Sequence, residues 1–417
     1  MKRFLALILT LVLALSMTAI AAADETVTIS LWSGNEAQQA LLKSFVDEYA
    51  AANNTKIDVV FQYVPYAEYN TKLMLNLNSA DAAPDLFWCL ENAAPTFIAS
   101  GYPAALDAEL AAYNAEDLSA AALNLWQKDG ATYAVPFSTS PVFIAYNKDI
   151  LAQAGVEVMP AELYANGEWT WEKFREIAKQ IKDKTGIWAY QTGNGEGYTA
   201  RVTNNLLMLI RSYGSDVWDA EGNVTIDNEA SVQAVQLFHD MVYVDGSIVP
   251  PGDESSFVAG TAAMTSCQKS ELGALADVSW KWDVAPIPAG PAGEVPMIGQ
   301  AALCANSQSP KAELAKKLVA YMTSEPCVAR MAIYWPPARY SVLNSESFLS
   351  GDGVLSAEQM ARTVVAGIAT GKVLPSHEEW AAMSEEARIY FDELWSADAD
   401  VADALANVAD VYRSYME

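Results

Sequence analysis

Histidine is almost missing from this chain: His239 and His377 are the only two in 417 residues. Imidazole is the side chain most often used for proton transfer near neutral pH, so that chemistry has few carriers here. Also missing are the GxSxG nucleophile elbow, the HExxH zinc helix, the phosphate-cradling P-loop and the GxGxxG dinucleotide turn. Four cysteines occur, Cys89, Cys267, Cys304 and Cys327. Their spacing is neither a metal knuckle nor a CxxC redox pair, and it leaves disulfide pairing and burial as free thiols equally open. No metal, no cofactor and no catalysis are expected. Cations are scarce as well: 25 Lys and Arg face 52 Asp and Glu, a net charge of −27. That balance repels nucleic acid and anionic lipid. No repeat of 20–50 residues and no low-complexity tract is present.

The N-terminus gives a location. Lys2 and Arg3 precede an apolar run from Leu5 to Ile20, and Ala21-Ala22-Ala23 places small residues before Asp24. This pattern predicts an exported chain with a cleaved signal peptide over 1–23. The run is shorter than the ~20 apolar residues a bilayer span needs. No cysteine stands at the cleavage site, which favours a soluble periplasmic or secreted protein over a lipoprotein. Loss of Lys2 and Arg3 with the leader takes the net charge from −27 to −29.

What is there, beyond acid, is aromatic: 12 Trp, 19 Tyr and 12 Phe. The mature N-terminus alternates strand and helix patterns. Val27, Ile29 and Leu31 recur with period two, and Leu41, Leu42, Phe45, Val46 and Tyr49 recur at helical spacing. Ile57, Val59 and Phe61 form a second strand pattern. Leu73 to Leu77 is assigned to a helix, and Leu86 to Cys89 to a short buried strand after Pro84-Asp85. A strand–helix–strand–helix–strand order predicts an α/β fold with a parallel sheet and right-handed crossovers. Ligands of such sheets sit at the carboxyl ends of the strands. Those ends carry Trp32 to Glu36, Tyr63 to Tyr66 and Trp88 to Asn92.

Further along, Thr170 is positioned to cap a helix whose buried stripe is Trp171, Phe174, Ile177, Ala178 and Ile181. Asp219 to Asn223 lacks the alternating oxygen ligands of a calcium loop and reads as a hairpin turn. Residues 228–244 form an amphipathic helix on which His239 is structural. The Ala-rich stretches 104–122 and 397–409 are expected as surface helices. Trp171, Trp218, Trp280 and Trp395 are assigned to packing.

One long stretch ties these pieces together. Residues 256–325 run from a glycine-punctuated apolar segment (Phe257, Gly260, Met264) through Trp280-Lys281-Trp282 to a Pro/Gly-rich link, Pro286 to Pro296. A second apolar crossing, Ile298 to Cys304, and a helix opened by Ser309-Pro310 follow. In residues 130–150, Pro136 and Pro141 bracket Ser138-Thr139-Ser140, followed by an apolar strand ending in Tyr146-Asn147-Lys148. This order resembles the extracellular solute-binding proteins of ABC importers, in particular the carbohydrate-binding group that includes maltose-binding protein. The resemblance is spread over the mature chain in several weak blocks.

The resemblance implies a two-lobed, periplasmic-binding-protein-like (type II) fold with discontinuous lobes and a hinge. The N-terminal lobe is expected over 24–137 plus 303–335, and the C-terminal lobe over 138–302 plus 336–417. It also implies site residues. Pro84-Asp85 followed by Phe87-Trp88 matches a sugar-contacting segment, so Trp88, Glu91 and Asn92 are expected at the ligand. Asn92 stands where maltose-binding protein has Arg. Trp32, Asn35 and Glu36 occupy the first ligand loop, with Glu36 in place of a Lys, which argues against maltodextrin itself. Tyr66 lies at the second strand end. Gly193 to Tyr198 resembles a Glu-x-Tyr ligand segment, giving Glu196 and Tyr198. Gln268 closes the loop after the Met264 strand, and Lys269 replaces a stacking Trp. Trp335 and Arg339 sit at the last crossing, and Trp380 in a C-terminal loop. The implied role is capture of a mono- or oligosaccharide and its delivery to the membrane permease subunits, by a monomer. The alternatives are a non-sugar solute such as a polyamine, an extracellular carbohydrate-active enzyme, whose carboxylate pair only geometry reveals, and a surface adhesin or sensor partner.

Overall fold

The computed structural model describes residues 25–118, 120–192, 198–351 and 353–416. The leader expected over 1–23 and the Glu196 segment lie outside the described residues. No described helix is long and apolar enough to cross a membrane.

The first strand, β1 (Glu25–Leu31), buries Val27, Ile29 and Leu31 as its alternation predicts. Helix α1 (Glu36–Ala52) follows, with Leu42, Phe45, Val46 and Tyr49 on its buried stripe. Then come β2 (Ile57–Tyr63), α2 (Tyr69–Leu77) and β3 (Leu86–Leu90). β1 pairs parallel to both β2 and β3. β2, at the sheet edge, is only partly covered, whereas all five residues of β3 are buried.

The chain then crosses between two sheets. Strand β4 (Val135–Pro141) belongs to the first sheet and β5 (Phe143–Asn147) to the second, with only Val142 between them. In the second part, Thr170 Oγ1 accepts the Lys173 N–H at 3.2 Å and opens α3 (Trp171–Thr185). Gly186, at φ +73°, closes that helix in the left-handed region that favours glycine. Strand β6 (Trp188–Gln191), α4 (Tyr198–Ser212), α5 (Glu229–Tyr243), β7 (Ala262–Cys267) and β8 (Trp282–Ala285) follow. The second sheet has the order β8-β5-β7-β6. Trp218 bridges to Val224 across the Asp219–Asn223 turn.

The return crossing is β9 (Met297–Ala305). It runs antiparallel to β3 through Ala301 to Ala305, and antiparallel to β4 through Ile298 to Leu303. After α6 (Ala312–Met322), the two-residue β10 (Lys372–Val373) pairs parallel to the start of β9. Helices α7 (Trp380–Glu393) and α8 (Val401–Met416) finish the chain against each other.

Two large hydrophobic cores result. One gathers residues between Val27 and Phe137 with Ala301 to Trp335. The other gathers residues between Ile144 and Ala285 with Met383 to Tyr412. A smaller core around Phe143, Phe257, Val328 and Met360 lies outside both. The fold is therefore α/β and two-lobed.

Two sequence expectations need correction. Helix α8 is not a surface helix: it buries Val401, Ala404, Leu405, Val408, Ala409, Val411 and Tyr412, because alanines allow a close approach to α7. The 104–122 stretch forms no single helix but a series of single turns, interrupted at Asn114, whose φ is +51°.

Candidate functional site

A cavity of about 450 Å³ opens where the crossing strands meet the ends of both sheets. That volume falls within the range of small-molecule sites. One wall is aromatic. Trp32 follows the last residue of β1, and its ring meets Trp88 at 4.7 Å, Tyr69 at 5.0 Å and Tyr66 at 6.0 Å, each edge to face. Trp335 meets Trp88 and Phe137 at 5.5 Å each. Trp32, Tyr66 and Trp335 line the cavity while Trp88 stands behind them.

The floor is the crossing ribbon. Ser140 pairs with Gly299 and Ser138 with Ala301, and all four line the cavity. Ser140 is buried, and its Oγ has no partner among the described residues. Such a hydroxyl asks for an explanation, and a bound ligand supplies one. At the end of β3, the Glu91 carboxylate is 4% exposed and accepts the Gln300 N–H at 3.1 Å. Burial pushes its pKa up to about 7, against the lowering effect of hydrogen bonds from its own backbone and from Gln300.

The opposite wall comes from the loop after β7 and from α4, through Gln268, Ser270, Glu271, Asn205 and Met208. The Gln268 amide donates to Ser140 O at 2.9 Å, and the Gln268 N–H is held by Glu271 at 2.7 Å. Gly299 leaves room for this placement of Gln268: a Cβ there would stand 2.3 Å from the Gln268 amide nitrogen and displace the amide. Enclosure between the walls, then the charges of Glu91 and Glu271, raise the Tyr66 phenol above its ordinary value. Even so, 62% of the Tyr66 surface remains in contact with solvent in the cleft. Among the described residues, no Lys, Arg or His lines the cavity. Among the described residues no cluster of three or more metal-ligating side chains occurs.

Of the residues singled out by sequence, Trp32, Tyr66, Glu91, Gln268 and Trp335 meet in this cavity. Others stand elsewhere. Trp88 is 1% exposed because β3 is covered on both faces, so it backs the wall and offers no stacking face. Arg339 is fully buried, donating to Thr323 O at 2.6 Å and Asn114 O at 2.9 Å, with Asp117 at 3.4 Å. Asn35 caps α1 by accepting the N–H groups of Ala37 and Gln38, and Glu36 is exposed in the first turn. Asn92 accepts from Asn70 at 3.4 Å outside the cavity. Tyr198 donates its hydroxyl to Val249 O at 2.8 Å and packs on Trp395. Trp380 packs against Trp218 and Tyr412. Lys269 turns away too, donating to Ala332 O at 3.1 Å and Ile333 O at 2.5 Å.

Sequence reasoning did not select Ser138, Ser140, Asn205, Met208, Glu271 or Gly299. The polar Ser138-Thr139-Ser140 between two prolines, inside an otherwise apolar crossing, was the available signal for the first two. The four cysteines are free and buried, and His239 is buried with Nε2 2.8 Å from Ser396 O.

Comparison with known proteins gives this geometry a setting. The family model described as bacterial extracellular solute-binding protein matches residues 33–326. An arabinooligosaccharide-binding protein of Halalkalibacterium halodurans is 26% identical over 283 residues, 64% of this chain and 60% of the relative. A lactose-binding protein of Rhizobium radiobacter is 26% identical over 238 residues, 56% of this chain and 52% of the relative. The matched region thus spans between about half and three fifths of these curated relatives. An ABC substrate-binding protein of Listeria monocytogenes, solved in complex with cycloalternan, superimposes with a TM-score of 0.80 at 22% identity, over 94% of this chain and 99% of that one. At that identity the likeness is one of fold.

Proposed function

Because this chain belongs to the bacterial extracellular solute-binding protein family, we propose that it captures a neutral mono- or oligosaccharide between its two lobes for an ABC importer. One observation carries the reading. A cavity between the two cores is walled by Trp32, Tyr66 and Trp335, holds the acceptors Glu91 and Glu271, and has no cation among its described lining residues. A sugar ring has an apolar face that lies against aromatic rings and a hydroxyl rim that donates to carboxylates. A phosphate or carboxylate ligand would find no charge partner among those described residues. The oligosaccharide-binding names of the relatives support the same class.

The lobes, 24–137 plus 303–335 and 138–302 plus 336–417, close about the crossing strands by a hinge motion. The ligand drives closure to the extent that it touches both walls. The closed form is what the membrane permease recognises, and the sugar is passed on unaltered by a monomer exported with its leader removed. Gln268, on the second lobe, holds the crossing strand at Ser140 and so places the polar wall against the hinge.

A thermal-shift titration tests this reading, with calorimetry on every hit. The panel holds arabino-oligosaccharides, lactose, maltose and their monosaccharides, with spermidine and glycerol-3-phosphate as controls. A saturable rise in Tm with one sugar family is expected, since a ligand of the folded state stabilises by mass action. The recovered sugar should be chromatographically intact. A response to spermidine alone overturns the saccharide assignment, and product formation overturns the binding-only role.

A further inference from the structure

A second cavity, of about 600 Å³, lies across the crossing ribbon from the first. Strand alternation separates the two. On β4, Ser138 and Ser140 line the first cavity and Thr139 the second; on β9, Gly299 and Ala301 line the first and Ile298 the second. Gln300 borders both. Its backbone N–H is held by Glu91 at 3.1 Å, and its side-chain oxygen accepts from Trp126 at 3.2 Å. No acceptor for its amide N–H groups occurs among the described residues.

The lining has a definite chemistry. Its charges cancel. Asp216 pairs with Arg211 at 2.9 Å and with Lys372 at 3.2 Å, and the Asp219 carboxylate is taken up by Asn223 and by the N–H groups of its own turn. What remains for a ligand is neutral: the Trp218 ring, the Asn124 amide and the Thr139 hydroxyl. Thr139 is 7% exposed, and its Oγ1 is buried with no hydrogen-bond partner. A buried hydroxyl left unpaired is costly, and here it borders a cavity large enough for a sugar unit. The walls come from the first lobe at Ala122 and Asn124 and from the second at Arg211 to Ala220.

We propose that this cavity is a second binding site, specific for a neutral polyhydroxylated molecule of saccharide size and coupled to the first through Gln300. The class follows from this cavity's own lining. Because its walls belong to both lobes, its occupant and the ligand of the first cavity act on the same hinge.

The test is calorimetric titration of the full mature chain with D-glucose, L-arabinose, maltose and lactose. Three proteins are compared: wild type, Thr139→Val and Glu91→Gln. Expected are two binding events for at least one sugar. Thr139→Val, nearly isosteric, weakens one event about tenfold, the size of one lost hydrogen bond, and leaves the other within about twofold. Glu91→Gln does the reverse. Ser376→Trp, which narrows the second cavity from its rim, removes the same event as Thr139→Val and guards against a folding artefact. A single event for every sugar, unchanged in Thr139→Val, overturns the second site whether or not the first binds. A lone event that is lost in Thr139→Val and kept in Glu91→Gln instead overturns the saccharide assignment of the first cavity.

Discussion

The two walls of the principal cavity are built on different principles. The first-lobe wall is a stack of rings. Trp32 and Trp335 face the cavity, and Trp88 and Phe137 fix them from behind at 4.7–5.5 Å. Rigid rings with few rotamers present apolar area at little entropic cost. The second-lobe wall is a short loop and a helix face held by hydrogen bonds: a capping box between Gln268 and Glu271, the Gln268 amide on Ser140 O, and the Lys269 ammonium on Ala332 O and Ile333 O. One wall is packed ring against ring, and the other presents hydrogen-bonded polar groups. This contrast implies an order: the ligand settles on the rings, and closure brings the polar groups to its rim.

Four substitutions break or sharpen that contrast. Trp88→Ala has the largest expected effect, since it empties the space behind the wall. Stability should fall by about 3–5 kcal/mol, as for large-to-small changes in cores, read by denaturant unfolding. A variant of full stability with lost binding would return Trp88 to the ligand. Trp32→Ala removes a ring surface with less damage to the core. Affinity should drop by about 2 kcal/mol, the scale of an aromatic hot spot, with a smaller change in Tm. Calorimetry beside a melt separates the two readouts.

Glu91→Gln tests the floor between the walls. Its folded pKa of about 7 lies above that of a free carboxyl, so the folded state holds this proton more tightly than the unfolded state. The resulting stabilisation is full below the free-carboxyl value and fades as pH rises toward 7. Sugar hydroxyls donate to the ionised form, so wild-type affinity should rise severalfold from pH 6 to 8. Glu91→Gln should flatten both profiles, and an unchanged pH profile would remove Glu91 from the site. The smallest effect belongs to a surface contact between distant segments, where Lys128 meets Glu378 at 3.0 Å with both side chains about half exposed. Lys128→Ala should alter affinity by no more than about twofold, as exposed pairs generally do. A larger, salt-sensitive loss would make this contact a latch between the lobes.

Much of the fold was legible in sequence because it rests on local periodicity. The β1 alternation, the α3 stripe and the Thr170 cap are all short-range signals. The site was less legible because it is assembled from distant segments. Trp88 sits on a strand whose five residues are all buried, and where alternation is absent, sequence cannot say which side chain faces a ligand. Arg339 looked like a binding residue but is consumed by backbone carbonyls that only the folded chain brings near. Ser138 and Ser140 escaped notice because a hydroxyl on a crossing strand gains meaning only once the cavity beneath it is known. The alanines of α8 carry too little hydropathy contrast to announce a buried face.

The four thiols make the chain its own reporter of opening. Cys89, Cys304 and Cys327 lie in the first large core, whereas Cys267 lies in the small one and borders the cavity. Burial pushes the thiols of Cys89, Cys267 and Cys327 above their ordinary range, so they resist alkylation and oxidation while the cores are shut. For the three thiols of the first core, reaction with a thiol reagent then proceeds only through excursions that open that core, whereas Cys267 also reports access to the cavity. Labelling rates at these positions time the breathing of separate parts of one molecule, with no probe added.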